Sequence, residues 1–116
     1  MERRVIHDIR HLGERQLADS RRWHPKLHRD DEGLARHLAM GLAEEAGEVL
    51  GIFKKADRGD FSYTALLTDP VRRHAVVGEL ADVTMYLTAL AALLNVDLGA
   101  AVVTKASEND VRFHDG

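Results

Sequence analysis

The chain contains no cysteine. That excludes disulfides, thiolate metal ligands and thiol nucleophiles, and it fits a reducing, cytoplasmic setting. An excess of positive charge is also missing: 16 Lys and Arg stand against 19 Asp and Glu, for a formal charge of −3 and a pI near 6.1. Without a basic field, sequence-independent binding to a nucleic-acid polymer is not expected. Long apolar runs are absent too. The longest nearly uncharged stretch, Val83 to Val96, is too short for a bilayer span and reads as a buried helix, so no membrane partner is expected. The first eight residues carry charge but no apolar secretory core. Prolines number two, and aromatics make up 5% with a single Trp, so each of these scarce residues marks a position.

The 116 residues suffice for one domain with a modest core. Val5, Ile9, Leu12, Gln16 and Leu17 recur at helical spacing and predict a first helix over 5–20. His7 and His11 lie one turn apart on it, yet Asp8 stands where a zinc motif needs Glu and no third ligand follows. Pro25 pushes His24 out of helical geometry, which places Trp23 in a loop, either as a plug on the core or as a wall on which a nucleobase stacks. Asp30 or Asp31 caps a second helix over 31–57, with Leu34, Leu38, Leu42, Val49 and Phe53 on one side. Asp69-Pro70 opens a third over 70–94. It is apolar over more than one stripe, as expected of a helix buried on several sides, and that implies a partner subunit. A fourth helix over 97–113, with Asp97 as cap, completes an all-α, four-helix bundle-like domain.

Two acid motifs stand out against this frame: Glu44-Glu45-Ala46-Gly47-Glu48 and Glu79-Leu80-Ala81-Asp82. Residues three apart share a helix face, with Cβ atoms roughly 5–6 Å apart. Glu45 therefore pairs with Glu48, and Glu79 with Asp82. Side by side, the two helices would bring four carboxylates together, and such a group either takes up protons or holds a cation. A solvated acidic patch is the alternative for the first motif, but carboxylates inside the apolar third helix are harder to leave uncompensated. Gly41 and Gly47 inside the second helix imply close approach by another helix or a ligand. Carboxylate oxygens suit Mg²⁺, with Mn²⁺ as the alternative. A di-iron site needs Glu-x-x-His pairs, which the chain lacks. On the last helix Lys105, Asn109 and Arg112 share a face suited to phosphate oxygens.

In order, Glu45-x-x-Glu48, Glu79-x-x-Asp82 and Lys105-x-x-x-Asn109-x-x-Arg112-Phe113 resemble the signature of the MazG-like all-α nucleoside triphosphate pyrophosphohydrolases, over about Trp23 to Phe113. The resemblance implies Mg²⁺-dependent cleavage of a nucleoside or deoxynucleoside triphosphate to the monophosphate and pyrophosphate, with a house-cleaning role. It implies Glu45, Glu48, Glu79 and Asp82 as metal ligands, and Lys105, Asn109 and Arg112 on the phosphates, joined by Lys54 and Lys55. Glu44 and Glu45 are the candidates for handling the attacking water. Trp23, His37 and Tyr86 become candidates for the base or sugar. Arg36 to Met40 and Phe113 depart from the commoner family residues, so the nucleotide is left open. The family assembles its sites as homodimers or homotetramers. Phosphoribosyl-ATP pyrophosphohydrolase shares the superfamily, and a non-catalytic helical module that binds Mg²⁺ and a nucleotide is the rival of another class.

Overall fold

The computed structural model of the protein describes residues 8–26 and 30–114, the last by its backbone. Among the described residues there are five helices and no strand: α1 Ile9–Trp23, α2 Asp31–Asp57, α3 Tyr63–Thr68, α4 Pro70–Leu93 and α5 Leu98–His114. The all-α class and the three long helices that follow α1 match the sequence pattern. Two expectations need correction. Helix α1 continues to Trp23, so the Trp closes a helix rather than sitting in the loop that Pro25 begins. A fifth helix, α3, stands between the second and third predicted helices, because Ser62 supplies an N-cap, its Oγ accepting from the Ala65 amide at 3.0 Å. The predicted start at Val5, and with it His7, lies outside the described residues.

Short polar residues set the other boundaries. Asp30 caps α2 by accepting from the Gly33 amide at 2.7 Å, and Asp69 caps α4 by accepting from Arg72 at 3.0 Å, with Pro70 in the first turn where no amide is needed. Asp97 caps α5 through the Ala100 amide at 3.0 Å. Two helices end alike. After α2, the amide of Gly59, at φ +92°, reaches Ala56 O, and that of Asp60 reaches Lys55 O. After α4, Asn95, at φ +56°, and Val96 reach Ala92 O and Ala91 O in the same pattern. Both are Schellman turns, which require a left-handed residue and favour Gly or Asn there.

Helix α4 is the central element, and α1 and α2 both lie along it. The core joins Leu34 and Leu38 of α2 to Ala89 of α4, with Leu17, Tyr86, Leu90 and Leu93 packed around them. Two glycines fix the approach of the helices. A Cβ on Gly13 would fall on the Thr88 carbonyl, 2.8 Å from its carbon, and one on Gly41 would meet the Tyr86 ring. The glycine expectation therefore holds for Gly41 but not within this protomer for Gly47, around which no atom lies within 4 Å of an added Cβ. Gly41 facing Tyr86 and Glu45 beside Asp82 show α2 and α4 running antiparallel.

The third predicted helix is not buried on several sides. In the protomer α4 leaves Val71, Val77, Leu80, Met85 and Leu87 exposed, as is its C-cap Leu94. By length and composition, Pro70–Leu93 is also apolar enough to cross a membrane, because the span continues through Glu79 and Asp82 rather than starting at Val83. Helix α5 packs mainly on α1, with Val102, Val103, Val111 and Phe113 exposed. The radius of gyration is 17.1 Å, against about 13 Å for a compact chain of this length.

Candidate metal centre and adjoining cavity

The carboxylates arise from two helix stripes that meet. On α2 the stripe runs through His37, Gly41, Glu45 and Glu48, and on α4 through Glu79, Asp82, Tyr86 and Ala89, each at steps of three or four residues. Antiparallel packing sets acid against acid. Glu45, Glu48 and Glu79 each place a carboxylate oxygen within 4.8 Å of the others. Asp82 lies outside this closest group but is near enough for its charge to act on Glu45, and it lines the adjoining cavity. Three of the four expected ligands therefore converge, with the fourth alongside. Glu44 is exposed on the neighbouring face of α2.

Among the described residues no cation forms an ion pair with Glu45, Glu48 or Glu79. The Oε2 atoms of Glu45 and Glu79 are shielded from solvent and have no hydrogen-bond partner. Burial pushes the Glu45 carboxyl above the usual carboxylate range; the adjacent Glu79 carboxyl raises it further, and so do the charges of Asp82 and Glu48. Two buried oxygens without donors, facing further carboxylates, form an all-oxygen donor set of the kind that holds a hard divalent cation. The site's residues fit such an ion.

Beside the acids lies a cavity of about 210 Å³. It is lined by residues of α1, α2 and α4. Trp23, His37 and Tyr86, the three aromatic candidates, all line it, together with Glu45 and Asp82. Trp23 is 60% exposed, so it is a cavity wall and not a plug on the core. His37 meets the Tyr86 ring edge-on at 6.2 Å and His24 at 5.6 Å. Burial raises the Tyr86 hydroxyl, and Glu45, Glu44 and Asp82 raise it further, so it stays protonated and can donate. Gln16, Ser20, His24 and Met85 also line the cavity and were not foreseen. The spacing 16, 20, 23 is one face of α1 and could have revealed the first two.

The basic candidates stand elsewhere. Lys54 and Lys55 occupy the last turn of α2, about 10 Å along the axis from Glu48. Lys105 sits 3.7 Å from Glu108 on exposed α5, the Arg112 guanidinium lies 5.0 Å from the Phe113 ring, and Asn109 is half-buried. None of these five lines the cavity.

Fold and site together define an all-helical domain that presents clustered carboxylates beside an aromatic-walled cavity. No family model matches the chain. It is similar to dCTP pyrophosphatase 1 of Rattus norvegicus, Mus musculus and Homo sapiens, at 36% identity over 109 residues in each case. The aligned part is 94% of this chain and 59% of each relative. The chain thus spans about three fifths of the length of the curated relatives it matches.

Proposed function

We propose that the protein is a pyrophosphohydrolase of nucleoside triphosphates, with deoxycytidine triphosphate the first substrate to test. The observation that carries this reading is the pairing of partnerless buried oxygens on Glu45 and Glu79 with a nucleoside-sized cavity walled by Trp23, His37 and Tyr86. The name dCTP pyrophosphatase 1, borne by relatives that align with nearly the whole chain, supports it.

In this reading Glu45, Glu48, Glu79 and Asp82 hold Mg²⁺. When bound, the ion neutralises the triphosphate and makes water a better nucleophile. The protein's own residues supply the rest. Trp23 offers a face for the base, while His37 and the protonated Tyr86 hydroxyl meet the base or sugar. Glu45, whose carboxyl takes protons readily, or the exposed Glu44 accepts a proton from the attacking water. Water adds across the anhydride, the α–β bridge breaks, and the monophosphate and pyrophosphate leave. Lys105, Asn109 and Arg112 belong to this site as contributions from a second copy, because α5 of the same protomer does not reach the cavity. A homodimer or homotetramer would bring that face in and cover α4.

The test is pyrophosphate release from a panel of deoxynucleoside and nucleoside triphosphates, with Mg²⁺ and then with EDTA. Turnover should require the metal and fall at least about 100-fold in Glu48→Gln and in Asp82→Asn, since even outer-shell changes around a metal cost 10–100-fold. Undiminished turnover in those variants would remove the metal assignment. Binding without turnover across the panel would favour a regulatory module.

A further inference from the structure

We propose that Gly41 is the specificity-determining position of the cavity, acting through Tyr86. This rests on the nucleotide reading above. Helix α2 contains three glycines within its middle turns that can be compared directly. An added Cβ would have nothing within 4 Å at Gly47 or Gly51. At Gly41, which is buried, it would lie 2.6 Å from both Cδ1 and Cζ of Tyr86 and closer still to Cε1. Such separations do not occur between real atoms. The ring therefore occupies the volume that a side chain at position 41 would fill.

The consequence reaches the cavity because of where the ring can go. Helix α2 cannot withdraw at this point, since Leu34 and Leu38, 1% and 2% exposed, fix it to α4 through Ala89. The Tyr86 ring, carried by α4 and lining the cavity, is the movable partner. A methyl at position 41 displaces it within the cavity that Trp23 and His37 also line. In a space of about 210 Å³ the room left for the nucleoside shrinks, and more so for a purine than for a pyrimidine. Glycine at 41 thus gives the aromatic wall its recess. Gly41 touches no substrate; it is a positioning residue, and the ring is what the nucleotide meets.

Four proteins decide the matter: the parent, Gly41→Ala, Tyr86→Ala and the double variant. For each, KM and kcat with deoxycytidine triphosphate are measured with Mg²⁺, and the binding of an α,β-imido deoxynucleotide is followed by the fluorescence of Trp23. Gly41→Ala should raise KM and Kd about tenfold or more, the scale of one methylene in a tight pocket, with a greater loss for a purine analogue. In the Tyr86→Ala background the same substitution should change KM less than about twofold, because the ring it would displace is gone. A merely structural glycine would give equal losses in both backgrounds, and that result overturns the proposal. So does a Gly41→Ala protein that binds like the parent. Should Gly41→Ala fail to fold, a double variant that folds and matches Tyr86→Ala supports the ring's role, and one that also fails overturns it. A parent that binds no nucleotide condemns the pyrophosphohydrolase reading itself, whereas an indifferent Gly41→Ala condemns this inference alone.

Discussion

Glu45 shows how a single side chain can link protonation, metal and stability. Its carboxyl is raised above the ordinary range, first by burial and then by Glu79 and its acidic neighbours. For an acid so raised, the favourable contribution to folding is fully present below the unfolded value and lost as pH rises through the folded one. The metal-free parent should therefore lose stability relative to Glu45→Gln as pH rises above the ordinary carboxylate range, read as the difference between their melting temperatures in EDTA. Mg²⁺ should reverse the order. It binds the deprotonated acids, so its stabilisation should grow with pH in the parent and be smaller in Glu45→Gln. A melting difference flat in pH would contradict the placement of Glu45 among the acids. The exposed Arg58–Asp60 pair, 2.7 Å apart, bears little on this comparison, since surface ion pairs contribute about 0–1 kcal/mol.

At the scale of elements, the helices are bounded by side chains whose loss can be measured one at a time. Asp69 both ends α3 and caps α4. Asp69→Ala should cost about 1 kcal/mol in urea unfolding, while the helix itself persists because its packing on α1 and α2 is unchanged. Gly47 predicts the opposite sign. Lying in the interior of α2 with open space around it, it should gain up to about 1 kcal/mol on replacement by Ala. A loss instead would mean that another chain packs there in solution. Helix α5 is the loosest element, held chiefly by α1, and hydrogen exchange should find it the first to open in an isolated protomer.

The whole molecule is more open than its length requires, as its radius of gyration shows. Leu80, Leu87 and Leu94 follow one another at intervals of seven along α4, at 49%, 39% and 65% exposure. Residues seven apart stay nearly in line on a helix and form a seam suited to a second helix. Light scattering should accordingly find a dimer or tetramer. Leu87→Lys should shift it toward monomer and lower turnover with it, since α5 of another copy is proposed to supply the cations. A fully active monomer would refute that assembly.

Helix class, most helix boundaries and the identity of the acids were legible in the sequence, because each depends on local chemistry. Asp30, Asp69 and Asp97 cap whatever follows them, and the spacings Glu45–Glu48 and Glu79–Asp82 fix a shared face wherever the helix lies. The length of α1 and the existence of α3 were not, since Trp23 and Ser62 act within a single turn that periodicity does not resolve. Tertiary structure alone decided which stripes face each other. Antiparallel packing of α2 on α4 turned two acid pairs into one group with partnerless oxygens, and the packing of α1 and α2 on α4 left the cavity that gathers Trp23, His37 and Tyr86. It also separated Gly41 from Gly47, two similar residues in one helix: a glycine's meaning depends on what lies opposite its missing side chain, and that is set by a residue 45 positions away.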